Sequence, residues 1–238
     1  MKICVVQTKS IKGNIQSNIE IHKRWIDIGI SQKSDLIIFP ELSLTGYEPE
    51  LGEGLATGHN DTRLDDFQNI SNRNNVAIGV GLPTKSNFGV FISMIILQPN
   101  RPRQTYSKQI LHSDEKPYFI EGNEQTILNI KDTKIAIAIC YESLQIKHLE
   151  SAIELGAEFY IASVSKSQNG IKKAFRYYPK IASKYSISVL MSNCIGFCDD
   201  FESAGQTSVW DDNGILKGQL DNLNEGLLVY DTELKTMS

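Results

Sequence analysis

Three short stretches of the chain carry side chains able to act on a ligand. In "DLIIFPELSLTGYEP" an apolar run stops at Pro40 and Glu41 follows, ahead of a turn at Gly46 and Tyr47. In "YSKQILHSDEKPYFIEGNE" Lys108 follows a strand-like run, and Glu115 comes seven residues later in a loop ending at Gly122. In "KIAIAICYES" five apolar residues lead to Cys140, and Glu142 and Ser143 open a helix. A thiol at a strand-to-helix elbow lies near the positive end of the helix dipole, which lowers its pKa and exposes it as a nucleophile. A buried cysteine also serves as small apolar filler. A glutamate past a strand end either moves a proton or is a solvated loop charge, and a lysine beside two carboxylates is either catalytic or a structural ion pair.

These residues need elements to position them. Apolar runs rich in β-branched residues recur at Ile3–Val6, Leu36–Phe39, Val76–Val80, Phe91–Leu97, Ile135–Ile139, Phe159–Ala162 and Val189–Met191. Because they are continuous rather than alternating, they read as strands buried on both faces. Helical spacing appears in Ile15, Ile19, Ile26 and Ile30, with Asn14 able to cap the start, again in Leu149, Ile153 and Leu155, and from Ala174 to Tyr185. Pro179 should kink that last helix or mark its first turn. From Val76 to Ile139 there are strand signals and no convincing long helix, so the expected class is α/β with a mixed sheet or two sheets. No repeat or Gly/Pro/Ser linker divides residues 1–238, which read as one domain. In such folds functional groups collect where buried strands end.

Taken together and in this order, "FPELSLTGY", "YSK" with its later glutamate and glycine, and "ICYE" resemble the nitrilase superfamily of carbon–nitrogen hydrolases. The resemblance runs from "KICVVQ" to "EGLLVYD" and takes in "LMSNCIG" around Asn193 and "GQTSVWDDNG". It implies an αββα sandwich of two mixed sheets flanked by helices, with a Glu–Lys–Glu–Cys active site. Carried onto this chain, Cys140 is the nucleophile, Glu41 the general base, Lys108 the stabiliser of the developing oxyanion, and Glu115 the second glutamate that holds Lys108. The backbone N–H of Tyr141 is the second oxyanion donor, and Tyr47, Lys166 and Asn193 fall at substrate positions. Amide hydrolysis through a thioester needs these groups: a thiolate, a carboxylate that takes and returns a proton, and a positive charge where the carbonyl oxygen turns negative.

The chain departs from the family pattern at Glu142, where many members have aspartate, and at Lys166, where many have a tryptophan. Lys166 either pairs with a substrate carboxylate or turns to solvent. The loop after Tyr47 is short, and the short C-terminus weakens any expectation of the tail that swaps across family dimers.

Lys and Arg number 24 and Asp and Glu 28, so the net charge of −4 supplies no basic field for nucleic acid or anionic membrane. No run approaches the roughly 20 apolar residues of a membrane span, and the N-terminus does not read as a signal peptide. A cytoplasmic protein with reduced thiols is expected, acting on a small molecule as a homodimer or higher homo-oligomer. His22, His59, His112 and His148 do not cluster with cysteine, and Cys194 and Cys198 alone cannot fill a zinc shell, so neither metal nor cofactor is expected. The two thiols read as core filler or pocket wall, and His112 as a solvent-facing loop residue. The leading expectation is an amidase for a small linear amide or N-carbamoyl compound. The alternatives are a nitrilase and, from another class, a catalytically silent binding or scaffold protein.

Overall fold

The computed structural model describes residues 1–58 and 60–237. The strands are β1 (Lys2–Gln7), β2 (Leu36–Ile38), β3 (Ala77–Lys85), β4 (Val90–Leu97), β5 (Gln104–Ser107), β6 (Ile127–Ile130), β7 (Thr133–Ile139), β8 (Phe159–Val164), β9 (Ser188–Asn193), β10 (Ile195–Cys198), β11 (Phe201–Ala204), β12 (Ser208–Trp210), β13 (Leu216–Gln219), β14 (Gly226–Asp231) and β15 (Thr236–Met237). The helices are α1 (Ile15–Ser31), α2 (Gly52–Leu55), α3 (Asp65–Asn74), α4 (Ile146–Glu154) and α5 (Gln168–Tyr185). One sheet has the order β15-β14-β1-β2-β3-β4-β5 and the other β13-β12-β9-β8-β7-β6, with β10 and β11 forming a separate pair. Both large sheets are mixed: β1, β2 and β3 run parallel, as do β7, β8 and β9, and antiparallel strands flank each set.

Burial on both faces explains the continuous apolar runs. In β1, Ile3 and Val5 enter the core between the sheets, while Cys4 and Val6 pack under α1 and α3. In β7, Ile135, Ile137 and Ile139 face the other sheet, and the small Ala136 and Ala138 face α4 and α5. Successive side chains point to opposite faces, so one strand serves two cores. The result is the expected layering of helix, sheet, sheet and helix. Hydrogen bonds tie the sheets together: Ser192 Oγ donates to Val6 O at 2.6 Å, and Ser163 Oγ donates to Phe39 O at 2.9 Å.

Several elements differ from the pattern in the sequence. β3 extends beyond Val80 to Lys85 because it pairs along its length with β4. α3 is polar on most sides and buries only Phe67 and Ser71, which leaves little periodicity to find. α4 buries His148, Leu149 and Ala152, whereas Leu155 is exposed, so the stripe is shifted from the expected one. Pro179 lies inside α5 and not at its first turn, since α5 already begins at Gln168. Asn14 caps α1 as expected, its side chain accepting from Ser17 N at 3.1 Å. No helix among the described residues is long and apolar enough to cross a membrane.

Candidate active site

Glu41 leaves the end of β2 in a tight turn that places it inside the protein, 2% exposed. The turn is held by backbone: Phe39 N donates to Gly79 O at 3.0 Å and Leu44 N to Gly81 O at 2.9 Å. β3 passes so close that a β-carbon on Gly81 would lie 2.5 Å from Leu42 N, which is why glycine stands there. Ser43 Oγ accepts from Gly81 N at 3.2 Å and meets His22 Nε2 at 2.9 Å, and His22 stacks on Phe39 with ring centroids 4.0 Å apart. Burial pushes the His22 pKa down to about 3, so this imidazole is a neutral support for the turn. The sequence offered only an isolated histidine, with nothing to place it against Ser43.

Lys108 follows β5 and is completely buried. Its Nζ donates to Glu41 Oε1 at 2.8 Å and to Glu115 Oε1 at 2.6 Å. Glu115 accepts also from Tyr47 OH at 3.0 Å and from His112 N at 2.7 Å, so both its oxygens are engaged. Gly122 N donates to Lys108 O at 2.7 Å, and a β-carbon on Gly122 would lie 2.4 Å from Ser107 O, so only glycine lets this loop close over the strand end. Burial opposes the charge on Lys108, but Glu41 and Glu115 outweigh it and hold its pKa above the ordinary lysine value. Burial raises the pKa of Glu41 despite the Lys108 ammonium, with Glu115 adding to the rise. Glu41 Oε2 has no hydrogen-bond partner, an acceptor left open in a buried site.

Cys140 sits where β7 turns into a one-turn helix over Cys140–Leu144, with φ at +49°, a left-handed conformation that a side chain seldom adopts. Its carbonyl accepts from Ser143 Oγ and, at 3.3 Å, from Lys166 Nζ; its thiol donates to Ser165 O at 3.5 Å. Burial, then the neighbouring Glu41, pushes the thiol pKa up to about 12, against the pull of Lys166 and Lys108. The resting form is therefore a thiol that needs a base.

Cys140, Tyr141, Glu115, Tyr47, Lys166 and Lys173 share a cavity of about 320 Å³, with the exposed His112 and Asp114 on its wall. Its size suits a small ligand. Glu41 and Lys108 are not in its lining and lie deeper than the cavity wall. Lys166 does not turn to solvent: it is 5% exposed. Asn193 is placed differently from the expected substrate contact. Its Oδ1 accepts from Lys166 N at 2.9 Å and its Nδ2 donates to Gly205 O at 2.7 Å, so the amide is spent on backbone and does not line the cavity.

Cys194 and Cys198 are buried in the core between the sheets, their sulfurs 3.6 Å apart, and they border a small void that also touches Glu41. They act as core filler, and neither lines the cavity that holds Cys140. Among the described residues no three His, Cys, Asp or Glu side chains converge in a way that could hold a metal ion. His59 lies outside the described residues.

Two sheets thus bring a thiol, a lysine and two glutamates to one seam, the arrangement of a carbon–nitrogen hydrolase. The chain belongs to that family: the carbon–nitrogen hydrolase family model matches residues 2–238. The fold is that of a nitrilase-superfamily amidase from Nesterenkonia sp. AN1, with a TM-score of 0.89 at 20% identity over 97% of this chain and 92% of that one. Other structures of that amidase hold butyramide, or an acrylamide adduct at its active-site cysteine. Among curated proteins, the chain is 24% identical to the glutamine-dependent NAD(+) synthetase of Aquifex aeolicus over 98% of its own length and 42% of the synthetase. It is 22% identical to nitrilase 3 of Arabidopsis thaliana over 68% of its length and 53% of that protein. The chain spans about half the length of the curated relatives it matches.

Proposed function

We propose that the protein hydrolyses the carbon–nitrogen bond of a small linear amide or N-carbamoyl compound through a thioester on Cys140. One observation carries the reading: Lys108 Nζ lies between Glu41 and Glu115 at 2.8 and 2.6 Å, while the Glu41 carboxylate, whose Oε2 has no hydrogen-bond partner, interacts with the Cys140 thiol. Cys140 Sγ attacks the carbonyl carbon as Glu41 takes the thiol proton. The negative oxygen is met by the charge of Lys108 and the N–H of Tyr141. The tetrahedral adduct collapses, the C–N bond breaks, and Glu41 returns its proton to the departing ammonia or amine. Water then attacks the thioester with Glu41 again as base, releasing the acid and the thiol. Glu115 keeps Lys108 charged and in place. Residues 1–238 act as one catalytic domain, and a homodimer is the expected assembly.

A carboxylate on the substrate fits Lys173, the exposed lysine of the cavity wall. The glutamine-dependent synthetases among the relatives point the same way, toward an amide on a carboxylate-bearing chain. A panel of aliphatic amides, ω-amides of amino acids, carbamoyl amines and nitriles, scored for ammonia release by wild type and Cys140→Ala, tests the reading. No release from any amide that depends on Cys140 would refute it.

A further inference from the structure

Lys108 is committed to two carboxylates, and a second ammonium lies closer to the cavity. Lys166 Nζ is 3.7 Å from Cys140 Sγ and 3.3 Å from Cys140 O. Its backbone is locked on both sides: the N–H donates to Asn193 Oδ1 at 2.9 Å, and the carbonyl accepts from Ala204 N at 2.9 Å and Asn193 Nδ2 at 3.2 Å. Its stem lies against the first turn of α5, where a β-carbon on Gly170 would sit 3.1 Å from Lys166 Cβ. So anchored, the ammonium faces the sulfur.

We propose that Lys166 is a catalytic residue of this chain, the counter-ion of the Cys140 thiolate, and that it acts on the sulfur and does not read a substrate carboxylate. The inference rests on Cys140 being the nucleophile.

Charge counting gives the reason. Glu41, Glu115 and Lys108 together carry −1 in a buried site. A thiolate formed beside that sum would be strongly disfavoured, because like charges raise a thiol's pKa in a low dielectric. Lys166 brings the sum to zero. Moving the proton from Cys140 to Glu41 then shifts a negative charge from the carboxylate to the sulfur, next to Lys166, without changing the net charge. The other titratable groups around the thiol do not supply this cation. Tyr47 and Tyr178 are neutral, their pKa values raised by burial. On the cavity wall Asp114 and His112 pair with each other, and Lys173 stands on the next turn of α5.

The test is the rate of Cys140 alkylation by iodoacetamide against pH, followed by intact-mass spectrometry, in wild type, Lys166→Met and Lys166→Arg. Iodoacetamide carries no carboxylate, so a residue that only reads carboxylates leaves its rate untouched. The expected result is that Lys166→Met alkylates about tenfold or more slowly at neutral pH, its profile displaced upward by one unit or more. Lys166→Arg should recover much of the rate. Should the methionine variant fail to fold by circular dichroism, Lys166→Gln carries the same expectation. Wild-type alkylation rates at every pH in the uncharged variant, with only KM for carboxylate-bearing amides raised, would overturn the proposal. Full turnover by wild-type protein alkylated at Cys140 would instead remove the nucleophile, and with it the role of Lys166.

Discussion

The carboxylate of Glu142 accepts a hydrogen bond from Gln109 N at 2.6 Å, so the residue two past the nucleophile grips the residue that follows Lys108. Glu142 also accepts from Ile139 N at 2.7 Å and from Tyr106 OH at 2.6 Å. One buried side chain therefore joins the elbow of Cys140 to the strand end of Lys108, across the seam between the sheets. Tyr106 OH meets His148 Nε2 at 2.8 Å and His148 Nδ1 meets Tyr160 OH at 2.8 Å, a chain of buried polar groups under the site.

This placement predicts a pH effect with a definite sign. Burial pushes the Glu142 carboxyl from 4.5 up to about 7, so between these values the folded protein holds a proton that the unfolded chain has lost. Stability contributed by this group is present below pH 4.5 and lost as pH rises toward 7. Thermal unfolding of wild type and Glu142→Gln across this range should show a declining difference in Tm, wild type minus variant. A difference that stays flat or rises with pH would contradict the burial cost. Turnover of Glu142→Gln should also fall, because one amide oxygen cannot replace both carboxylate oxygens, one of which accepts from Ile139 N and Tyr106 OH and the other from Gln109 N and Ile110 N.

Cys140→Ala should cut turnover to less than about a hundredth of wild type, given the roughly 10²- to 10⁴-fold that even a lesser catalytic group supplies. Its Tm should change little, since the residue is at a cavity and not in tight packing. Replacing Cys4, Cys194 or Cys198 by alanine should leave most activity and be felt as stability. Ammonia release and thermal unfolding on the same four variants separate the two outcomes.

Lys108→Met leaves the Glu41 and Glu115 carboxylates buried without their common cation, and should cost about 3–5 kcal/mol of stability as well as activity. Glu41→Gln should be far milder in unfolding but should slow iodoacetamide alkylation of Cys140 at neutral pH, because the thiol loses its proton acceptor. Chemical denaturation and alkylation rates, measured side by side, check the contrast.

Amides should be hydrolysed much faster than the matching nitriles, since Lys108 and Tyr141 N–H await an oxygen that a nitrile does not present in its first step. If the substrate bears a carboxylate, Lys173→Ala should raise KM for that amide several-fold and leave its carboxylate-free analogue unchanged. Steady-state kinetics on paired substrates decide both points.

Much of this protein is determined by the sequence itself. The runs around Ile37, Ile137 and Ile161 are continuous because both faces are buried, which already demands a covering layer on each face of the strands, though by themselves the runs fit one mixed sheet or two. Glu41, Lys108 and Cys140 stand just past strands, where local chain order alone puts a side chain at a sheet end, and Glu115, in the loop beyond Lys108, joined them through the family resemblance. Only the tertiary structure decided what meets what. Lys166 and Cys140 are 26 residues apart and come together because β7 and β8 are parallel neighbours, and nothing local tells a lysine after a strand to point at a thiol or at water. Asn193 turned inward to lock the Lys166 backbone, and His22 found Ser43, through hydrogen bonds that exist only once the layers are stacked. Burial of Glu142 and His148 likewise depends on partners 42 residues away or on the other sheet, since an isolated polar side chain in sequence gives no sign of whether its hydrogen bonds will be made to water or to protein.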